Sequence, residues 1–233
     1  MPTALSVLKR LETFQLELQL PKSCPGRGCQ RPPLPTHSLL PALTRFVFKG
    51  ESKYLEDLVS WIDAPLLDQF EIIFSPQLIF HTPQLAQFIG RTPDLMAHNE
   101  GHLIFSNFLA DFALPRYGGL DLKIFCRQLD WQLLMLAQVC SSSLPLILSL
   151  EHLYIREAMY VSPPSWPDDI ENVQWLELLC PFTTVKVLYL SQDITPQMAP
   201  ALQELVRERA TEVLPVLQSL FLENLHLSCN RPY

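Results

Sequence analysis

The sequence predicts an α/β chain wound as a solenoid, with a parallel β-sheet on one side and helices on the other. Three observations predict it. An apolar-x-x-apolar-x-apolar string recurs about every 30 residues. Segments of helical spacing lie between the strings. A hydrophobic content of 48% over 233 residues is enough to bury a sizeable core. Each unit is too small to bury its own apolar face, so the units have to stack.

The strings fall, in order, at Leu11/Phe14/Leu16, Leu43/Phe46/Phe48, Leu67/Phe70/Ile72, Leu150/Leu153/Ile155, Val185/Leu188/Leu190 and Leu217/Leu220/Leu222. A degenerate copy lies at Leu122/Ile124 and a further one near Leu95 to Phe105, which makes seven or eight units. Between the first two strings, the stretch from Pro21 to Pro41 carries six prolines with Gly26 and Gly28. Proline fixes the backbone and removes donors, so residues 21–41 read as an exposed loop inserted in the first unit. Its Pro32-Pro33-Leu34-Pro35 has the composition of a polyproline II ligand or of a plain spacer.

Helices are expected after the strings. Ser52 caps one bearing Tyr54, Leu55, Leu58, Val59 and Ile62. Thr82-Pro83 opens a second, with Leu85, Phe88 and Ile89 inward and Gly90 to end it. Asp130 starts a third through Leu133, Leu134, Leu136, Ala137 and Cys140. Asp168-Asp169 open a fourth with Ile170, Val173, Leu176 and Leu179, and Thr195-Pro196 a fifth through Ala201, Leu202, Leu205 and Val206. A helical crossover between strands demands parallel pairing.

The reading is therefore one domain over 1–233, an irregular leucine-rich-repeat solenoid of right-handed, horseshoe-like form. It is irregular on two counts. Spacings run from 24 residues (Leu43 to Leu67) to 35 (Leu150 to Val185), against the usual 20–29. The asparagine that normally follows the last apolar position is replaced by Gln19, Glu51, Ser75, Ala158 and Asp193.

A formal net charge of −7 and a pI near 5.3 disfavour a surface built for phosphate backbones or anionic lipid. No apolar run approaches the ~20 residues of a membrane span. Lys9, Arg10 and Glu12 interrupt any signal-peptide core, so the chain reads as cytoplasmic or nuclear and not secreted. Its cysteines, Cys24, Cys29, Cys126, Cys140, Cys180 and Cys229, then read as reduced thiols, with the middle three in apolar segments.

No catalytic, cofactor or metal site is expected. His98-Asn-Glu-Gly-His102 lacks the Glu directly after the first His that a zinc-protease helix requires, and Gly101 weakens a helix there. Cys24, Cys29 and His37 are three potential zinc ligands where a structural site needs four. Gly26-Arg-Gly28 has Arg31 at the third glycine position and no strand before it. Neither a nucleophile elbow nor a P-loop is present. Trp61, Trp131 and Trp175 sit in helical stripes and read as core, whereas Trp166 in Ser162-Pro-Pro-Ser-Trp-Pro167 lies in a loop and is a candidate contact residue.

The stretches Tyr54-Leu-Glu-Asp-Leu-Val-Ser-Trp-Ile-Asp-Ala-Pro-Leu-Leu67, Thr82-Pro-Gln-Leu-Ala-Gln-Phe-Ile89, Asp130-Trp-Gln-Leu133, Gln174-Trp-Leu-Glu-Leu178, Ala199-Pro-Ala-Leu-Gln-Glu-Leu205 and Thr211-Glu-Val-Leu-Pro-Val-Leu-Gln-Ser-Leu-Phe-Leu222 resemble those of fungal F-box-like, leucine-rich-repeat proteins. The resemblance runs from about Leu5 to Leu225 and covers only the repeat part of that family. There, an N-terminal F-box opening with a Leu-Pro-x-Glu-like motif docks on the Skp1 adaptor of a ubiquitin ligase, and the repeats present a substrate. No such motif precedes the first string, so the resemblance implies substrate-recognition repeats without the docking half. Skp1 docking is expected only where an F-box is supplied elsewhere. No functional residue of the family maps onto the repeats.

The leading expectation is a non-catalytic protein-protein interaction module. Residues that alternate with the buried ones would line one sheet face: Gln15 and Glu17, Arg45 and Val47, Glu71 and Ile73, His152 and Tyr154, Val187 and Tyr189, Ser219 and Phe221. Among them Val47, Ile73, Tyr154, Tyr189 and Phe221, joined by Trp166, are the candidate protein-binding residues, as an apolar patch of the kind that marks interaction sites. The alternatives are a truncated structural remnant with uncapped ends and, behind it, a hydrolase or metalloenzyme.

Overall fold

Alternation decides the architecture: along each strand one parity is apolar throughout and the other mixed, so the chain can build a sheet covered on one face. The computed structural model describes residues 8–18, 38–77, 79–96, 98–114, 118–158, 172–204 and 210–223. In chain order the elements are β1 (Thr13–Glu17), β2 (Ser38–Leu39), β3 (Arg45–Gly50), α1 (Ser52–Val59), β4 (Ile62–Asp63), β5 (Gln69–Phe74), α2 (Pro83–Gly90), α3 (Pro93–Met96), β6 (Glu100–Phe105), β7 (Leu109–Ala113) and β8 (Gly119–Phe125). There follow α4 (Leu129–Ser143), a 3-10 turn (Pro145–Ser149), β9 (His152–Glu157), α5 (Asn172–Leu179), β10 (Val187–Ser191), α6 (Thr195–Glu204), α7 (Ala210–Val213) and β11 (Ser219–Glu223).

Nine strands form one sheet in the order β1-β3-β5-β8-β7-β6-β9-β10-β11, and β2 pairs with β4 in a parallel two-stranded ribbon. Phe46, Phe48, Phe70, Ile72, Leu103, Phe105, Leu122, Leu153, Leu188 and Leu190 point to one face and are essentially fully buried. They share a core with Leu55, Leu85, Phe88, Leu133, Trp175 and Met198 from the helices. Rings at one register stack across the first strands, Phe14 on Phe46 at 5.3 Å and Phe46 on Phe70 at 4.9 Å, and Phe88 of α2 closes the row edge-on at 5.6 Å. Trp175 of α5 meets Phe105 of β6 the same way at 5.7 Å. The helices pack side by side, α1 on α2, α2 on α4, α4 on α5 and α5 on α6. Among the described residues no helix covers the other face, and none is long and apolar enough to cross a membrane.

The expected leucine-rich-repeat solenoid is overturned by the strand order. In a horseshoe every strand pairs in parallel with the next unit, whereas here β5 pairs with β8 and β6 with β9. Between them β7 runs antiparallel to both β6 and β8. The crossover through α2 and α3 carries the chain past two vacant positions, and a meander folds back to fill them. The fold is thus a mixed α/β sheet, mostly parallel, with an antiparallel centre. The copy expected at Leu122/Ile124 is β8, and the one near Leu95 to Phe105 is β6; β7 has no counterpart among the strings.

The turn into β8 uses Gly118 and Gly119, at φ of +142° and +99°. A Cβ on Gly118 would lie 2.9 Å from the Asp68 carbonyl oxygen, so the backbone there admits glycine alone without strain. Helix starts also differ in detail. Ser52 is buried inside the first turn of α1, after Glu51, and its N–H donates to Gln77 Oε1 at 3.1 Å. Thr82 precedes α2 as expected but makes no side-chain cap; Glu56 of α1 accepts from Gln84 N–H at 2.9 Å and Leu85 N–H at 2.8 Å instead. Burial raises the pKa of that carboxyl, against the pull of these two hydrogen bonds. The third helix starts after Gln128, with Asp130 in its first turn. The segments 21–37 and 168–169, Trp166, and Leu205-Val206 lie outside the described residues.

Candidate binding face

The uncovered face is built from one residue per strand at each register. Its central row runs unbroken across the sheet: Gln15, Val47, Glu71, Asp121, Ala113, His102, Tyr154, Tyr189, Phe221. Because adjacent strands lie ~4.8 Å apart, rings at one register must stack. His102 stacks on Tyr154 at 4.6 Å, Tyr154 on Tyr189 at 4.3 Å and Tyr189 on Phe221 at 5.1 Å, with interplanar angles of 8°, 4° and 15°. Both faces of Tyr154 and Tyr189 are covered by neighbours, so these half-buried residues offer ring edges outward. Phe221, on the edge strand, is 44% exposed.

Beside this ladder, in the middle of the sheet, lies a compact group of charges. Lys123 Nζ donates to Glu71 Oε1 at 2.7 Å and to Asp121 Oδ2 at 2.8 Å, and Arg45 Nη2 stands 3.9 Å from Glu71 Oε2. Burial pushes the Asp111 carboxyl well above the usual carboxylate range; the nearby Asp121 charge and the hydrogen bond between the two push the same way, against Lys123 and Arg156. Asp111 Oδ1 and Asp121 Oδ1 are both buried, and a hydrogen bond between the two side chains favours the protonated form of Asp111. Burial opposes the charge on Lys123, but hydrogen bonds and charge from Asp121 and Glu71 outweigh it and raise its pKa.

The candidate residues are not one patch. Tyr154, Tyr189 and Phe221 come together in the ladder. Val47 is on the same row but only 8% exposed, and Ile73 sits one row over, half-buried. The meander strands β8-β7-β6, with Asp121, Lys123 and Asp111, separate these two from the aromatic group. The expected continuous apolar patch is corrected accordingly to an aromatic half and a charged centre. Trp166 lies outside the described residues.

Sequence reasoning missed His102, Asp111, Asp121 and Lys123. The signal for the last three was available: Leu109-Ala-Asp-Phe-Ala113 and Gly119-Leu-Asp-Leu-Lys-Ile-Phe125 alternate with period two around a Gly-Gly turn, a hairpin pattern. His98 and His102 are not on a helix; Glu100–Phe105 is a strand, and Gly101 faces the core, where an added Cβ would lie 2.8 Å from Leu150 Cδ1. Among the described residues no group of three His, Cys, Asp or Glu side chains is placed to hold a metal ion. Cys140 is buried, its thiol pushed up to about 12 by burial, while Cys126 is half-buried and Cys180 exposed, in contrast to the apolar setting read for it. Trp175 is fully buried and Trp131 packs on the core, but Trp61 falls after the end of α1. No family model, curated protein or solved structure matches this chain.

Proposed function

We propose that this protein is a non-catalytic protein-binding module that holds its partner on the uncovered sheet face. The observation that carries this reading is the His102–Tyr154–Tyr189–Phe221 ladder, a rigid aromatic surface left without a covering helix among the described residues. Rings already held by stacking present their edges to a partner at little further cost in side-chain freedom, which suits them to anchor an interface. The charged centre supplies orientation: Glu71, Asp121 and Lys123 are mutually paired, so a partner that breaks the pairing must replace it.

The surface, and not a stack of repeats, supports this reading, and Skp1 docking belongs to it only with an F-box supplied elsewhere. Its place of action would be the cytoplasm or nucleus. The test is affinity capture by the whole chain beside a Tyr154→Ser/Tyr189→Ser variant, quantified by mass spectrometry. Proteins retained by the parent and lost by a folded variant support the proposal; identical captures refute it.

A further inference from the structure

On the inner strands the helix-side apolar residues are buried, but on β11, the last strand of the sheet among the described residues, Leu220 and Leu222 are 44% and 55% exposed, and Phe221 on the opposite side is 44% exposed. The other edge strand differs, since Phe14 and Leu16 of β1 are half-buried and packed on the core. A sheet edge of this kind, with no proline and no charge among its three central residues, is a template for another strand. We propose that β11 is a self-association edge, on which a second copy of this chain adds its own β11 antiparallel, about a two-fold axis at Phe221.

The hydrogen-bonding geometry fixes that register. Ser219 N–H donates to the Lys186 carbonyl at 3.1 Å, so residues 219, 221 and 223 turn their backbone groups toward β10. Leu220 and Leu222 therefore turn N–H and C=O outward. In the two-fold arrangement Leu220 of one copy and Leu222 of the other form a hydrogen-bonded pair on each side of the axis. Phe221 meets its own copy as the non-hydrogen-bonded pair, the kind that brings side chains closest. A two-fold normal to the sheet keeps the uncovered faces on the same side, so the aromatic ladder continues across the joint through the two Phe221 rings.

Sequence complementarity selects this partner over the other available edge. Antiparallel self-pairing sets Leu220 against Leu222 and Phe221 against Phe221, apolar against apolar throughout. Parallel addition of β1 from another copy, continuing the strand registers of the sheet, sets Phe221 against Gln15. An amide opposite the ring forfeits the aromatic pair that self-association makes. A five-residue strand pair alone is smaller than the ~1,200–2,000 Å² of a stable interface, so the dimer is reversible and depends on concentration.

The experiment is sedimentation velocity on the full chain over a concentration series. The weight-average mass is expected to rise from 26.7 kDa toward twice that value. Leu222→Pro removes an outward N–H while sparing the bonds to β10, and should hold the mass at 26.7 kDa with unchanged circular dichroism. Leu220→Lys, which places a charge at the joint, serves the same purpose should the proline variant misfold. A parent chain that stays monomeric overturns the proposal. A dimer that persists in a folded β11 variant overturns it equally.

Discussion

Removing Tyr189 tests whether the ladder is an energetic unit. The ring is stacked on both sides, 4.3 Å from Tyr154 and 5.1 Å from Phe221. Each aromatic pair contributes ~0.5–1.5 kcal/mol beyond buried area, so the two contacts together put Tyr189→Ala at roughly 1–3 kcal/mol of lost stability. A chain of this size moves ~2–4 °C in Tm per kcal/mol, so the midpoint should fall by about 2–12 °C. The sharper readout is a double-mutant cycle with Tyr154→Ala by urea unfolding, with a coupling of ~0.5–1.5 kcal/mol expected. Tyr54 on α1 provides the distant control, and its pairing with Tyr189 should be additive within ~0.5 kcal/mol. A Tyr154–Tyr189 coupling no larger than the control would refute the claim that the stacked rings act together.

Three further outcomes follow from the geometry. Phe70→Ala, at a 1% exposed ring held by Phe46 and Phe88, should cost about 3–5 kcal/mol in chemical unfolding; a loss under ~1 kcal/mol would contradict the packing described. Gly118→Ala, with φ of +142° and a Cβ 2.9 Å from the Asp68 oxygen, should lower stability by ~1–3 kcal/mol, whereas Gly90→Ala, with open space around it, should not. For Asp111 the raised pKa sets the sign: the native state holds the proton more tightly than the unfolded chain, so this group's contribution to stability falls as pH rises from the ordinary carboxylate range through its higher native value, among Asp121, Lys123 and Arg156. Asp111→Asn keeps a donor toward Asp121 but cannot ionise, so its stability–pH profile should lack that fall. Parallel profiles for the two proteins would rule out Asp111 as the source of that fall.

The strands of the outer thirds could be read from the chain because Phe14, Phe46 and Phe70, or Leu153, Leu188 and Leu220, occupy the same place in each string and pair at the same register. The middle third could not be read the same way. Its Ala110 and Phe112 alternate without the leading apolar residue, and no helical stripe separates β7 from its neighbours, so a search tuned to strand–helix units passes over it. The vicinal Gly118-Gly119 marked the reversal, but a local turn does not say which distant strands the hairpin will join. The same holds for the face: Tyr154, Tyr189 and Phe221 are visible as alternating positions, whereas His102 enters the ladder only once β6 is known to lie beside β9. Val47 shows the converse, since alternation gives a side but not how far neighbouring side chains cover it.

The reversed strands at the centre also bear on how the chain assembles. Residues 106–108 and 114–118 join β6 to β7 and β7 to β8, whereas every other connection within the large sheet spans at least an intervening helix or a far longer stretch. Loop closure costs least for the shortest loops, and local contacts form fastest. The β6-β7-β8 meander is thus the part of the sheet that closes at the least entropic cost, with β5 paired on one flank and β9 on the other.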